Sequence, residues 1–215
     1  GQHAYIAKSI IDSIQRIYRP KTILVPSYTY TFAQLGLFHR LFSKSEVGRF
    51  SEEVRSLFPE RRTPDPIFSV IDTTGFLENA RDEIDYRRAF GPNSLFDYLT
   101  RENAIIINIG LEELISAHLH HVEKINDVKY RYDKIFPGFA YYDESTWEKL
   151  QYNYFVRDLQ IDTNWNRKKI EDKLIQTGVL HSTTDNGVRM SWMSTQECEQ
   201  AISTLLSQDE MFLIT

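Results

Sequence analysis

The chain has 215 residues, 41% hydrophobic and 26% charged, which is enough apolar content for one globular domain with a sizeable core. A formal net charge of −5 and an isoelectric point near 5.7 give no general attraction to nucleic acid or to an anionic membrane surface. The single cysteine, Cys198, excludes an internal disulfide and a thiol cluster for zinc or iron–sulfur, which suits the cytoplasm. No apolar run approaches the ~18 residues needed to span a bilayer, and the opening "GQHAYIAKSIIDS" lacks the basic, apolar, cleavable pattern of a secretion signal.

From Ala4 to Tyr18, Ile6, Ile10, Ile14 and Ile17 recur at helical spacing until Pro20 stops the helix. "KTILVP" reads as a buried strand between prolines, followed by a polar aromatic loop, "SYTYTF". Ser51 heads a short helix in "SEEVRSLF", and "PERRTPDP" is a rigid connector that cannot continue it. "IFSVI" is a second strand, "FGPNSLFDYL" a turn feeding a helix, and "NAIIINIG" the clearest buried strand. Further on, "VKYRYDKIF" and "YNYFVRDL" alternate apolar and polar residues, and residues 164–177 form a helix closed by Gly178. Asp185, Asn186 and Gly187 turn a hairpin in "VLHSTTDNGVRMSWM", and Ser194 caps a last helix through Leu206. Strands alternating with helices, then meandering strands, predict an α/β fold: a mixed β-sheet with helices on both faces, in a single domain.

"SAHLHHVEK", Ser116 to Lys124, concentrates three of the six histidines. With Ser116 as cap and 117–126 helical, His120 and Glu123 are neighbours, Leu119, Val122 and Ile125 mark the apolar side, and His118 falls near that side. His118 is then a buried, satisfied histidine. A histidine one turn from a carboxylate is a base with its orienter, or simply a solvated pair on an exposed face; the spacing alone leaves both open. A metal site needs three or four converging ligands, and beyond this cluster the histidines are distant, His39 and His181 among them. GxSxG, GxGxxG and GxxxxGK[ST] are all absent, so serine-triad, dinucleotide and Walker-type phosphate sites lack support.

Taken together, "KTILVPSYTYTF", "EVGRFSEEVRSLFPERRTPDPIFSV", "FGPNSLFDYL", "INIGLEELISAHLHHVEKINDVKYRY" and "DEMFLIT" resemble, in order and nearly end to end, the motifs of the aminoglycoside 3-N-acetyltransferase family, including its LHxxE and PYRY segments. Leu95 stands where a proline is usual, and Ala117 and His118 replace a threonine-containing lead-in. The resemblance implies an acyl-CoA-dependent N-acyltransferase of amino sugars, with acyl-CoA as co-substrate and no metal. It places the catalytic histidine on His120 and its partner on Glu123. Tyr28, Tyr30, Asp65, His121 and Arg131 are then acceptor-side candidates. Arg62, Ser69, Gly91 and Ser94 are cofactor-side candidates, since a pyrophosphate wants guanidinium and N–H donors at a turn or helix start. The family's usual first strand and His-Ser-rich loop would precede Gly1. Asp65, where antibiotic-modifying members usually carry histidine, and the arginines of "RR" and "YRY" suggest a nucleotide-linked amino sugar of surface polysaccharide (O-antigen type) as acceptor. An aminoglycoside antibiotic is the alternative, and a non-catalytic sugar- or CoA-binding homologue the different-class one. Expected partners are these small molecules, without nucleic acid or membrane; homo-oligomerisation is left open.

Overall fold

The computed structural model describes residues 2–214. By their contacts these fall into two units, 1–89 with 135–154 and 90–134 with 155–215.

The first unit opens with α1 (Gln2–Tyr18), which ends where Arg19 takes a left-handed φ of 47° ahead of Pro20. Its buried stripe is Ala7 and Ile11, while Ile6 and Ile17 are exposed, so the inward face is turned by about one residue from the isoleucine row. The reason is the partner. α1 packs on α3, and Ala7 and Ile11 join Val25, Val54 and Ile71 in one apolar cluster. Strand β1 (Leu24–Pro26) is followed by α2 (Phe32–Leu35), β2 (Leu37–His39), α3 (Arg49–Leu57) and β3 (Val70–Asp72). β1 and β3 pair antiparallel, Val25 opposite Ile71. α3 begins two residues before Ser51, at an N-cap Gly48 with φ 111°. The "IFSVI" strand is shorter than expected because the Ile67 and Phe68 N–H groups donate to the Asp65 side chain, at 2.8 and 2.6 Å, instead of entering a ladder.

In the second unit Ser94 caps α4 (Leu95–Arg101), its hydroxyl accepting from the Asp97 N–H. Then come β4 (Ile105–Ile109) and α5 (His118–Ile125). β5 (Arg131–Tyr141) and β6 (Trp147–Arg157) contribute residues to both units. The second unit closes with α6 (Arg167–Gln176), β7 (His181–Asp185), β8 (Val188–Ser194) and α7 (Thr195–Gln208). Asn166 caps α6 and Ser194 caps α7 through their side-chain oxygens. Asn186 and Gly187, both at positive φ, make the two-residue turn between β7 and β8, as the Asp-Asn-Gly run predicts.

The α/β class with mixed strand pairing is as expected, since β2 and β5 run parallel while β4–β8 and β7–β8 are antiparallel. The strands are divided among three sheets, β1-β3, β2-β5-β6 and β4-β8-β7, rather than gathered in one. β4 corrects a second expectation. Only Asn108 of its five residues is buried, and Ile105, Ile107 and Ile109 are exposed. The strand lies at an edge of its sheet, and alternation puts those three isoleucines on the open face.

One close approach fixes the start of β2. A Cβ on Gly138 would lie 2.6 Å from the Gly36 carbonyl and 2.7 Å from the Phe32 ring, and Phe32 is buried. Gly138→Ala is therefore expected to lower stability by about 1–3 kcal/mol, the usual range for overpacking, read as a lower urea midpoint at unchanged m-value.

Candidate active site

The site is built on α5. Its first turn is set by Ser116, whose hydroxyl accepts from the His118 N–H, while the N-cap position itself falls on Ala117, without a side-chain cap. The expected cap is thus one residue early. Helical spacing then puts His120 and Glu123 side by side: His120 Nδ1 is 2.7 Å from Glu123 Oε2. After α5, Asp127 at φ 50° turns the chain so that Tyr130 and Arg131 come back over the helix. Tyr130 donates its hydroxyl to Glu123 Oε1 at 3.0 Å, and Arg131 Nε forms an ion pair with Oε2 at 2.7 Å. From the segment before α6, the Trp165 indole N–H donates to Oε1 at 2.8 Å. Its ring lies against the His120 imidazole, centroids 4.2 Å apart. Phe90 also meets the His120 ring.

This cage explains how a carboxylate with 0% side-chain exposure stays ionised. A buried, unpaired charge costs several kcal/mol, and here both oxygens are taken up. Burial pushes the Glu123 pKa upward, but His120, Arg131 and Trp165 together hold it below the usual carboxylate range. For His120 burial dominates and lowers the imidazole pKa, while Glu123 works in the opposite direction. The ring is therefore neutral at pH 7. Glu123⁻ accepts from Nδ1–H, which fixes the tautomer and leaves Nε2 with the lone pair. His120 keeps 21% of its side chain exposed. The arrangement can take a proton from a substrate atom presented to Nε2 and stabilise the imidazolium that forms.

The other two histidines are interior groups. His118 is 2% exposed, with Nε2 3.3 Å from the Thr100 hydroxyl, and burial lowers its pKa to about 3. His121 is 1% exposed, accepts from the Gly91 N–H at Nδ1 and points Nε2 at Glu199, 3.5 Å away; burial lowers its pKa to about 4. The acceptor-side expectation for His121 is corrected accordingly, because both ring nitrogens already have protein partners.

The structure thus brings His120, Glu123 and Arg131 together and sets His121 and Gly91 next to each other. Gly91 gives its N–H to His121, and Ser94, whose hydroxyl accepts the α4 cap bond, is fully buried, so neither offers an accessible donor to a pyrophosphate. Arg62 and Ser69 meet in the first unit, Arg62 Nε donating to Ser69 Oγ at 3.0 Å. The Arg62 guanidinium also donates to the carbonyls of Ser27 and Ser43 and to the Thr29 hydroxyl and stacks on Phe38. It is fully buried, and burial, with Arg55 nearby, lowers its pKa to about 9. Its donors hold loops together rather than awaiting a phosphate. Asp65, 1% exposed, accepts from the Tyr152 hydroxyl besides its two backbone amides; burial raises its pKa to about 7. It is a turn residue of the interior. Tyr28 is buried against Phe68, whereas Tyr30 is 40% exposed at the edge of the same aromatic group.

Two members of the cage, Tyr130 and Trp165, are absent from the candidate site residues. Tyr130 sits inside "YRY", where Arg131 draws attention, and Trp165 lies 42 residues beyond Glu123, a separation that only folding closes.

A profile of the family described as aminoglycoside 3-N-acetyltransferase matches residues 2–207. The chain belongs to this family. Aminoglycoside 3-N-acetyltransferases transfer an acyl group from acyl-CoA to an amine of an amino sugar, so the protein is an acyl-CoA-dependent N-acyltransferase with acyl-CoA as its co-substrate. No curated protein matches the chain. Among solved structures, the complex of AAC-IIIb with CoASH is similar at TM-score 0.73 and 14% identity, with 94% of this chain and 83% of that one covered. The aminoglycoside acetyltransferase AAC(3)-Xa gives 0.72 at 15% identity, covering 96% and 81%, and sisomicin-bound AAC-VIa gives 0.72 at 14%, covering 94% and 85%. These likenesses establish the 3-N-acetyltransferase fold for this chain. Among the described residues, no group of three or more His, Cys, Asp or Glu side chains is placed to hold a metal ion, and no helix is long and apolar enough to cross a membrane.

Proposed function

We propose that the protein acetylates an aminoglycoside-type amino sugar, with His120 as general base and Glu123 as its orienting partner. The observation that carries this is the 2.7 Å contact between His120 Nδ1 and a fully buried Glu123, which fixes the tautomer and leaves Nε2 available, while burial keeps the imidazole neutral. Sugar amines are largely protonated near neutral pH, and only the free lone pair attacks a thioester. The acceptor first loses its ammonium proton to solvent; the neutral amine nitrogen then bonds to the thioester carbonyl carbon, its second proton passes to His120 Nε2, and the C–S bond breaks as the tetrahedral intermediate collapses. The thiolate of CoA then takes the proton from the imidazolium. The transfer is direct, and the enzyme returns to its starting state.

The preference for a polyamine sugar over a nucleotide-linked one reverses the sequence expectation, and the physical reason lies in the arginines. A diphosphate needs uncommitted guanidinium groups. Arg62 is enclosed, Arg61 pairs with Glu78 at 3.0 Å, and Arg131 pairs with Glu123. Asp65, the other pointer to a nucleotide sugar, supports its own turn. The family and the sisomicin complex of AAC-VIa favour a polycationic acceptor, with which the net charge of −5 is compatible.

A thiol-release assay with acetyl-CoA separates the readings when run in parallel with sisomicin-type aminoglycosides and with a nucleoside-diphosphate amino sugar. Release with the aminoglycoside is the expected result. Release only with the nucleotide sugar would overturn the acceptor assignment, and no release with either acceptor, repeated with longer acyl-CoAs, would make the protein a binding homologue.

A further inference from the structure

From the double engagement of its side chain, we infer that Trp165 is a positioning residue for the transfer reaction, holding the His120–Glu123 pair through its N–H on one partner and its ring on the other. The inference rests on the reading of His120 as the base.

Trp165 touches both halves of the pair. Its indole N–H donates to Glu123 Oε1 at 2.8 Å, the oxygen that faces away from the imidazole. Its ring lies 4.2 Å from the His120 ring, tilted by 35°. A carboxylate held only by His120 and Arg131 on Oε2 could rotate about its last torsion. Donors on the opposite oxygen prevent this, and Trp165 shares that task with Tyr130. The ring contact then limits the swing of the imidazole, so Nε2 has one direction in which to meet an acceptor.

The backbone around Trp165 is fixed on both sides, as such a role requires. On one side, the Asn164 N–H donates to Asp162 Oδ1 at 3.1 Å. On the other, the Asn166 N–H donates to the Leu213 carbonyl while the Asn166 side chain caps α6. The indole is half-buried, within reach of the site and of solvent. The charged and titratable groups on the pair are Arg131 and Tyr130, so Trp165 contributes a neutral donor whose effect does not itself change with pH.

Removing that donor makes Glu123 more basic, which strengthens its hold on the imidazolium and raises the acid limb of kcat. Trp165→Phe keeps a stacking ring and loses the N–H. The expected result is a fall in kcat of about 10-fold and an upward shift of the acid limb by roughly 0.5 pH unit, about threefold in proton affinity, with KM for acetyl-CoA little changed. A purely structural tryptophan would lower the fraction of folded enzyme without moving the pH profile, and an unmoved acid limb overturns the inference.

A second measurement needs no site variant of Trp165. In ¹H–¹⁵N spectra of the wild-type protein, with the indole signals of Trp147 and Trp192 assigned by Phe substitution, the remaining indole N–H resonance is expected to follow the titration that kcat reports. A resonance that stays constant while the pair titrates overturns the inference as well. His120→Ala separates the two levels. Full activity in that variant removes the base itself, whereas loss of activity there with an unmoved Trp165→Phe profile removes only the positioning role.

Discussion

Replacing His120 by alanine is expected to lower kcat by roughly 10²–10⁴, the contribution of a positioned general base, with little change in folding stability. His120 keeps part of its side chain exposed and its principal polar partner, Glu123, retains Arg131, Tyr130 and Trp165 when the imidazole is gone. Steady-state thiol release with acetyl-CoA and an aminoglycoside provides the measurement, with circular dichroism on the same sample to verify the fold. The wild-type pH profile carries a companion expectation. Catalysis requires the neutral imidazole, and burial sets the His120 pKa below the usual 6.5. The neutral imidazole therefore predominates at neutral pH, and kcat falls as pH drops through the lowered value. kcat is the quantity to follow, because kcat/KM also carries the pKa of the free acceptor amine. An acid limb lying well above 6.5 would contradict this environment for the base.

Glu123→Gln is expected to be worse for the molecule as a whole. The amide has one acceptor oxygen where the carboxylate has two, so it cannot satisfy His120, Tyr130, Trp165 and Arg131 together. The Arg131 side chain, 8% exposed, loses its counter-charge. Breaking a buried ion pair from one side costs about 3–5 kcal/mol, to be read from urea unfolding. In the fraction that folds, kcat is expected to fall by roughly 10²–10⁴, since the imidazole loses both its fixed tautomer and the charge that stabilises its protonated form. The sign of the pH effect distinguishes this loss from that of Trp165→Phe. Glu123 raises the His120 pKa, so its neutralisation moves the acid limb down, whereas loss of the indole donor moves it up. A Glu123→Gln enzyme with wild-type kcat would separate the carboxylate from catalysis.

The separation of His118 from His120 was legible in the primary structure, because helical spacing sets one toward the apolar side and the other beside Glu123, and the burial of His118 agrees. Family motifs, read in order along the chain, pointed to the acyltransferase class for the same reason: they are local strings, and local strings survive intact in a sequence. Asp65 and Arg62 show the limit of that kind of reading. A carboxylate and a guanidinium beside prolines look like ligand-binding groups, yet Asp65 takes the Ile67 and Phe68 amides and Arg62 ties the Ser27, Thr29 and Ser43 region to Ser69. Whether a polar group serves the chain or a ligand depends on which backbone groups lack partners nearby, and those are known only once the loops have closed.

The isoleucines of β4 fail in the opposite sense. Their run looks like core, but an edge strand covered on one face leaves every second residue open, and coverage is a property of neighbouring elements. By itself, then, the sequence determined the element types and the His120–Glu123 pair, which depend on short-range spacings, and the family, which depends on local strings read in order along the chain. Only the tertiary structure decided that Glu123 is enclosed, that Tyr130, Arg131 and Trp165 complete its shell, and that His121 faces inward. Those outcomes depend on contacts between elements far apart in the chain, where the free energy of burying one charge is balanced by donors that no local pattern announces.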